Sequence, residues 1–465
     1  MEFVSLGATN EIGASCHFLK INGTGLVLDA GAHPEEEGLA SLPNWGLIHE
    51  NPDWYVDHAI VTHAHHDHLG GLPVLIRQFP HVHIHMTPAT RQLADLLLPA
   101  SARLQRRKLR EGSSTHAPLF EEDELDVMSY LYLTHDLETE FDATGIRGET
   151  KVSGRLFDAG HVLGAAGVEL SFEENGERRR IFYSSDTNLR PQSIIPGGSY
   201  PEAPIDVLIL ESTMGADPEA ETTTRRTEEK KLGEALGRVI ARGGAALVPV
   251  FALGRAQEIL ALIDRYKQRG ILPEDTPVYT AGSMRAIADV YDKTRFNTPR
   301  LNPEFQVYGV PQKRLPRSQT ATKRALSEPS IYVVASGMMF ERTISNEIAQ
   351  QIVEDEKNGI FLVGYSREDA PGDRLLRAAK EGPGTEVVLD NFRGPQALNC
   401  DVARFRFSGH SHRRDLIQLV DQLQPKKVLI VHGEETARQW MADNIRFFYP
   451  DVEVLLPELG QALTV

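Results

Sequence analysis

The stretch that most constrains this chain is His63-Ala64-His65-His66-Asp67-His68, which follows the β-rich run Ala59-Ile60-Val61-Thr62 and precedes Leu69-Gly70-Gly71. Imidazole and carboxylate groups crowded into so short a loop are costly to desolvate unless a cation compensates them. The run therefore reads as half of a metal site. His63 and His65 can point to one ion. Asp67 and His68, past a turn, can point to a second about 3.5–4 Å away, the separation at which two metals clamp the attacking and leaving oxygens of a phosphoryl centre. His66, in the skipped position, should face away. A solvated histidine tract is the plainer alternative, but such tracts lack the interposed Asp and the preceding strand.

Composition narrows the class. The 465 residues leave room for more than one domain, and 41% hydrophobic with 25% charged residues is an ordinary soluble globular make-up. Met1 leads into an apolar strand from Phe3 to Leu6 without a basic leader, and no apolar run approaches the ~20 residues of a membrane span. A cytoplasmic protein with no membrane partner is expected. Cys16 and Cys400 form no C-x-x-C pair and read as buried small hydrophobes. A net charge of −16 argues against indiscriminate nucleic-acid binding. Basic residues nevertheless cluster: Arg103, Arg106, Arg107, Lys108 and Arg110; Arg178 to Arg180; Arg225 with Arg226; Lys313 with Arg314 and Arg317. Each cluster reads first as a solvated face. Metal ions absorb negative ligands, so net charge does not exclude an anionic substrate.

The N-terminal part reads as strands Glu2–Leu6, Cys16–Ile21, Gly25–Asp29 and Ala59–Thr62 separated by turns. Asp29 ends an apolar run before Ala30-Gly31, and two readings of it stand: a carboxylate behind a metal-bound histidine, or a turn-forming Asp before Gly. After His68, the positions Leu69, Leu72, Leu75, Ile76 and Phe79 have helical period. Val82, Ile84 and Met86 then alternate with His81, His83 and His85, which suggests either a metal ladder or the exposed polar face of an edge strand. With no acidic partner beside them, the exposed face is expected. Residues 88–140 read as mainly helical, the basic run followed by Glu121-Glu122-Asp123-Glu124 as solvated faces of a lid. His161, between Gly160 and Gly164 after an apolar strand, lets backbone approach an ion closely. Asp186 ends the strand Ile181-Phe182-Tyr183, where one carboxylate can bridge two metals.

The order Asp29, His63/His65/Asp67/His68, His161, Asp186 closely resembles the metallo-β-lactamase superfamily, an αββα sandwich with two zinc ions at the sheet edges. Six further motifs narrow the likeness to the β-CASP ribonuclease branch: Leu208-Ile209-Leu210-Glu211-Ser212-Thr213, Pro249 to Glu258, Ala335-Ser336-Gly337-Met338-Met339, Asn358-Gly359-Ile360 to Gly364-Tyr365, Phe407-Ser408-Gly409-His410 and Val431-His432-Gly433-Glu434. The resemblance implies a metallo-β-lactamase domain in two parts, 1–211 and 387–465, around an inserted β-CASP α/β domain at 212–386. Strand-helix alternation (Ala245–Val250, Arg255–Arg269, Thr276–Thr280) agrees with a parallel-sheet insertion.

Carried over residue by residue, the resemblance gives one zinc to His63, His65, His161 and Asp186 and the other to Asp67, His68, Asp186 and His432, two Zn2+ per chain. His410 matches the general acid, Glu211 the residue that orients it, and Asp67 counts among the catalytic groups. Arg255 and Ser336 match substrate-binding positions, although Arg255 may be read equally as packing its helix. Phe340-Glu341 stands where relatives carry a Gly pair, and His412 where many carry an Asp. The implied activity is hydrolysis of RNA phosphodiester bonds, endonucleolytic or 5′-exonucleolytic, by a metal-bridging hydroxide. RNA, expected as single strands, is the implied partner, with homodimer formation left open. A DNA-directed or small-molecule metallohydrolase and an inactive RNA-processing scaffold are the competing readings. The complete ligand set speaks against the scaffold.

Overall fold

The computed structural model describes residues 1–316, 318–364, 367 and 369–465, and of Ala220 and Gln319 the backbone only. The chain divides into two units. The first comprises Met1–Pro191, Ile195–Asp217 and His410–Val465; the second comprises Gln192–Ile194 and Pro218–Gly409.

Alternation with period 2 builds the first unit. In the strand Glu177–Tyr183, Ile181 and Tyr183 enter one core and Phe182 another. In the strand Val207–Glu211, Val207 and Ile209 join the first set, Leu208 and Leu210 the second. Successive side chains leave a strand on opposite faces, so one sheet serves two cores. Its inner face meets Phe3, Leu19, Leu26, Leu28 and Ile60 of the facing sheet. Its outer face is covered by Leu416, Leu419 and Leu423 of the helix Arg413–Leu423 and by Met441 and Ile445 of the helix Glu435–Phe448. The helices Leu72–Gln78 and Pro88–Arg110 also bury apolar stripes, Leu75 with Ile76 and Leu93 with Leu98, and none of these residues belongs to the inter-sheet core. Helices outside two facing sheets make the α/β sandwich.

The two sheets have seven strands each. One runs Ala462–Thr464, Glu2–Gly7, Cys16–Ile21, Thr24–Leu28, His58–Ile60, His83–Met86, Tyr132–Thr134; the other runs Glu453–Leu455, Lys427–Val431, Val207–Glu211, Glu177–Tyr183, Ala166–Glu174, Val152–Asp158, Glu140–Asp142. Direction matters more than count. Thr24–Leu28 and His58–Ile60 run parallel. Val152–Asp158, Glu177–Tyr183, Val207–Glu211 and Lys427–Val431 also share one direction. Residues that follow these strands emerge at carboxyl ends, where open α/β sheets place their sites.

The second unit holds a six-stranded parallel sheet, ordered Lys313–Arg314, Val278–Thr280, Ser330–Val334, Ala245–Pro249, Gly359–Leu362, Asp401–Arg404. Its central strands are buried throughout, as a sheet covered on both faces requires. The boundaries differ from those read in the sequence. Thr385–Val388 pairs with Pro395–Leu398, and Asp401–Arg404 extends the parallel sheet beside Gly359–Leu362, so residues after 387 stay with this unit and the return comes at His410. At the other end, Ser212 remains tied to Val431 and His432. Short pairings made across long sequence separations leave no local mark.

Of two local expectations, one holds in the main and the other is corrected. Helix in 88–140 is confined to Pro88–Arg110, Glu122–Met128 and a short turn at Ser129–Leu131, and the remainder supplies the edge strands Tyr132–Thr134 and Glu140–Asp142. The strand His83–Met86 lies inside its sheet, with His85 buried. Among the described residues no helix is long and apolar enough to cross a membrane.

Candidate metal centre

The loop after His58–Ile60 is fixed by backbone before any ion is considered. Ser15, Ala30 and Ala32 donate their N–H groups to the carbonyls of Asp67, His68 and His66. A Cβ on Gly31 would lie 1.8 Å from the Asp67 oxygen, so the close approach requires glycine there. The next turn, the helix His66–Leu69, carries Asp67 and His68, whose ring centre lies 4.1 Å from that of His63. His66 is exposed, as its skipped position implied.

Side chains from four strand ends then converge. The Nδ1 of His65 lies 3.1 Å from both His63 Nε2 and His161 Nε2. Asp186 Oδ2 lies 3.7 Å from each of those two Nε2 atoms. Its other oxygen, Oδ1, lies 3.4 Å from His68 Nε2 and 3.2 Å from His432 Nδ1. Asp67 Oδ2 is 3.7 Å from His432 Nε2. One carboxylate thus turns an oxygen to each of two donor groups, His63/His65/His161 and Asp67/His68/His432, and each group can hold a metal ion.

Whether an ion fits is answered by what is left unsatisfied. His68 Nε2, Asp186 Oδ1 and His432 Nε2 are buried polar atoms without a hydrogen-bond partner. Each such atom costs about 1–3 kcal/mol, and three at one point exceed what a folded core leaves uncompensated without cause. A cation among them removes the cost.

Surrounding groups set orientation. Asp29, fully buried, accepts from the Thr62 N–H at 2.8 Å, the Thr62 hydroxyl, the Tyr183 hydroxyl at 2.9 Å and His68 Nδ1 at 2.8 Å. Thr213 Oγ1 sits 3.1 Å from His432 Nδ1. Burial lowers the tendency of His68 to charge, but Asp186 and Asp29 outweigh it and hold its pKa well above the ordinary value. Burial would raise Asp186, and His432, His68 and His410 together hold it well below. His63 is pushed well down, by burial and by the neighbouring His68 and His65.

A third group abuts the first two. Glu211 receives His410 Nδ1 at 3.2 Å on Oε2 and the Thr187 N–H at 2.8 Å on Oε1. His410 Nδ1 is also 3.9 Å from Asp186 Oδ2. Burial depresses the His410 imidazole, yet Glu211 and Asp186 raise it to about 9.

Thr62, Tyr183 and Thr213 were not singled out from the sequence. They stand inside or beside the quoted motifs, but only tertiary pairing shows what they hold. His412 accepts from the Arg414 N–H at 3.1 Å and caps the helix Arg413–Leu423. Arg255 and Ser336 belong to the second unit, following the paired strands Ala245–Pro249 and Ser330–Val334. Arg255 is buried, with Nη1 3.5 Å from Gln192 Oε1, and burial lowers its pKa to about 10. The Ser336 hydroxyl is buried without a partner. Glu341, in the departing Phe340-Glu341 pair, accepts from Asn391. Tyr365 and Arg317 lie outside the described residues.

Three family models match in succession: metallo-beta-lactamase superfamily over residues 9–167, Beta-Casp domain over 256–375, and Zn-dependent metallo-hydrolase RNA specificity domain over 396–457. The chain belongs to the β-CASP branch of the metallo-β-lactamase superfamily. Among β-CASP relatives, cleavage and polyadenylation specificity factor subunit 3 of Dictyostelium discoideum is 28% identical over 100% of this chain and 57% of its own length. Endoribonuclease YSH1 of Candida glabrata is 27% identical over 93% of this chain and 54% of its own. Cleavage and polyadenylation specificity factor 73 of Drosophila melanogaster is 26% identical over 97% and 64%. The chain spans little more than half the length of the first of these relatives. A crystal structure of a protein of unknown function from Enterococcus faecalis shares the fold, with a TM-score of 0.57 at 12% identity over 100% of this chain and 99% of that one.

Proposed function

We propose that this chain is a zinc-dependent ribonuclease that hydrolyses phosphodiester bonds in single-stranded RNA. The observation that carries the reading is Asp186, whose oxygens face two separate donor groups while the Glu211–His410 pair stands against one of them. His63, His65, His161 and Asp186 would hold one ion, and Asp67, His68, Asp186 and His432 the other. The nitrogen-rich set suits zinc. Bound there, the ions would draw the pKa of a coordinated water toward about 7 and neutralise phosphate charge.

The chain's own residues do the rest. Asp29 holds the Nδ1 proton of His68 and so presents Nε2 as the donor atom. Thr213 fixes His432 through Nδ1 in the same way. His410 supplies the proton for the leaving 3′-oxygen. Cations would offset Asp186 and Asp67, so Glu211 is the partner that keeps His410 charged at neutral pH. The products would carry 5′-phosphate and 3′-hydroxyl ends.

RNA as substrate, and internal cutting, are supported by the relatives named as endoribonucleases and by the match to an RNA specificity domain. The test is incubation of zinc-reconstituted protein with end-labelled single-stranded RNA, single-stranded DNA and duplexes, with the product ends mapped. Single-stranded RNA cut to 5′-phosphate ends is expected. Cyclic 2′,3′-phosphate ends, or DNA cut as fast as RNA, would overturn the reading. Light scattering on the same sample tests the homodimer.

A further inference from the structure

In three of the four basic clusters the structure pairs arginines with carboxylates. Arg103 and Arg106 pair with Glu122 and Glu121; Arg179 and Arg180 with Asp206 and Glu169; Arg225 with Glu229 and Glu258. In the fourth, Lys313 and Arg314 have no such partner among the described residues. Arg314, at the end of the strand Lys313–Arg314 in the second unit, lines a cavity of about 1140 Å³ together with Arg285, Lys323 and Arg342. Among the described residues, none of these four cations has a carboxylate partner.

Acids on the wall are fewer and mostly engaged. Asp289 holds Lys293 at 2.6 Å, and Asp390 accepts the N–H groups of Phe392 and Arg393 at 2.9 and 3.1 Å. Arg393 is paired with Glu354 at 3.7 Å, which leaves exposed Glu347 against four unpaired cations. In a chain of net charge −16, such a surplus is a localised exception.

Aromatic faces accompany the charges. The Arg285 guanidinium lies 4.9 Å from the ring centre of Tyr308, which is 44% exposed, and Arg342 lies 5.8 Å from that of Phe392, which is 86% exposed. Basic walls with open aromatic rings bind single strands, because every base offers a π-face while the phosphates take the cations. An acidic peptide would use the cations and leave the rings idle.

We propose that this basin is a contact for single-stranded RNA, with phosphates held by Arg285, Arg314, Lys323 and Arg342 and a base laid on Tyr308. The ligand class rests on the ribonuclease reading; the geometry does not.

The experiment compares the full-length chain with an Arg314→Glu/Arg342→Glu variant, both sites being exposed. Anisotropy of a fluorescent oligouridylate gives affinity across a salt series, and hydrolysis of bis(p-nitrophenyl) phosphate reports the metal centre alone. The expected result is affinity about tenfold or more weaker, with the slope of log K against log salt reduced by about 1.4, or ~0.7 per phosphate lost. Turnover of the small diester should not change, and Arg314→Lys/Arg342→Lys should retain binding. Unchanged oligouridylate affinity in the charge-reversed variant, with small-diester turnover intact, would overturn the basin and leave the hydrolase. Failure of the wild type to cut any diester, with oligouridylate affinity still dependent on the two arginines, would remove the ribonuclease and leave the basin. Displacement of oligouridylate by polyglutamate as readily as by polyuridylate would also overturn the RNA assignment.

Discussion

Two groups of histidines occupy the first unit, and among the described residues only one of them is arranged so that it could hold metal. In the group around Asp186, imidazoles converge with carboxylates and leave buried atoms unsatisfied. In the other, His58, His85 and His135 form a line. His58 Nδ1 meets His85 Nε2 at 2.9 Å, His85 Nδ1 meets His135 Nε2 at 2.9 Å, and His58 Nε2 lies 3.2 Å from the Thr144 carbonyl. A carbonyl only accepts, so His58 must carry its proton on Nε2. Its Nδ1 then accepts from His85, whose Nδ1 in turn accepts from His135, and neutral rings satisfy the whole chain. Burial pushes His85 down to about 2 and lowers His58 and His135. Histidine number does not make a site; convergence, carboxylates and unpaired lone pairs do.

That contrast breaks most completely at Asp186. Asp186→Ala removes the carboxylate common to both donor groups, so both ions should be lost together. RNA cleavage should fall by more than the ~10⁴-fold upper range of a proton donor alone, and metal analysis should give well under one ion per chain. Retention of two ions would end the bridging assignment.

His410→Ala should spare the metals and slow cleavage by about 10²–10⁴-fold. Its rate loss should shrink on a 3′-bridging phosphorothiolate, whose sulfur departs without a proton, whereas Asp67→Ala should not recover. The acid acts in its protonated form, so wild-type turnover should fall as pH rises through the His410 pKa, raised to about 9 in the metal-free site. Bound cations would draw that limb lower, and it should vanish in His410→Ala. Equal defects on both substrates would leave His410 a structural histidine.

The paired first half of the site was legible because its spacing is local: His63, His65, Asp67 and His68 share one loop. His161 and Asp186 were readable as a glycine-flanked histidine and a strand-ending carboxylate, but Glu211, His410 and His432 came through resemblance, since residues so far apart meet only when parallel strands end together. What stayed hidden was set by pairing. His85 was expected on an exposed edge strand, because alternation shows which residues share a face but not how many strands lie beyond it. The return to the first unit was expected at 387 by resemblance, and the pairings of Thr385–Val388 with Pro395–Leu398 and of Asp401–Arg404 with Gly359–Leu362 move it to His410. Tyr183 stood in the sequence only as a strand residue; its ring is buried and its hydroxyl serves Asp29.

Asp29 tests whether orientation matters apart from ligation. Its φ of +62° fits the turn-forming reading, and its bond to His68 fits the supporting one. Asp29→Asn keeps the size but can set an amide N–H against His68 Nδ1, forcing the ring to carry its proton on Nε2, where the metal should bind. Zinc affinity measured against a competing chelator should fall about 10–100-fold. Unchanged affinity with a lower melting temperature would assign Asp29 to the turn alone.

The smallest effect belongs to the histidine line, and it should leave the metals untouched. His85 has its folded pKa lowered to about 2 from an ordinary 6.5, so between those values the unfolded chain binds a proton that the native chain refuses. Stability from this group is therefore present above pH 6.5 and lost as pH falls below it, by about 1.4 kcal/mol per pH unit. Asp57 near His58 and Asp136 near His135 act against the lowering, but neither overcomes burial. His85→Gln keeps a donor and an acceptor and cannot titrate. It should cost about 1–3 kcal/mol at pH 8, yet lose about 2 kcal/mol less than the wild type between pH 6.5 and 5 in urea unfolding, with its full complement of bound metal. A variant that kept the wild-type pH slope, or that lost zinc, would mean that the two histidine groups are not the separate devices their hydrogen bonding describes.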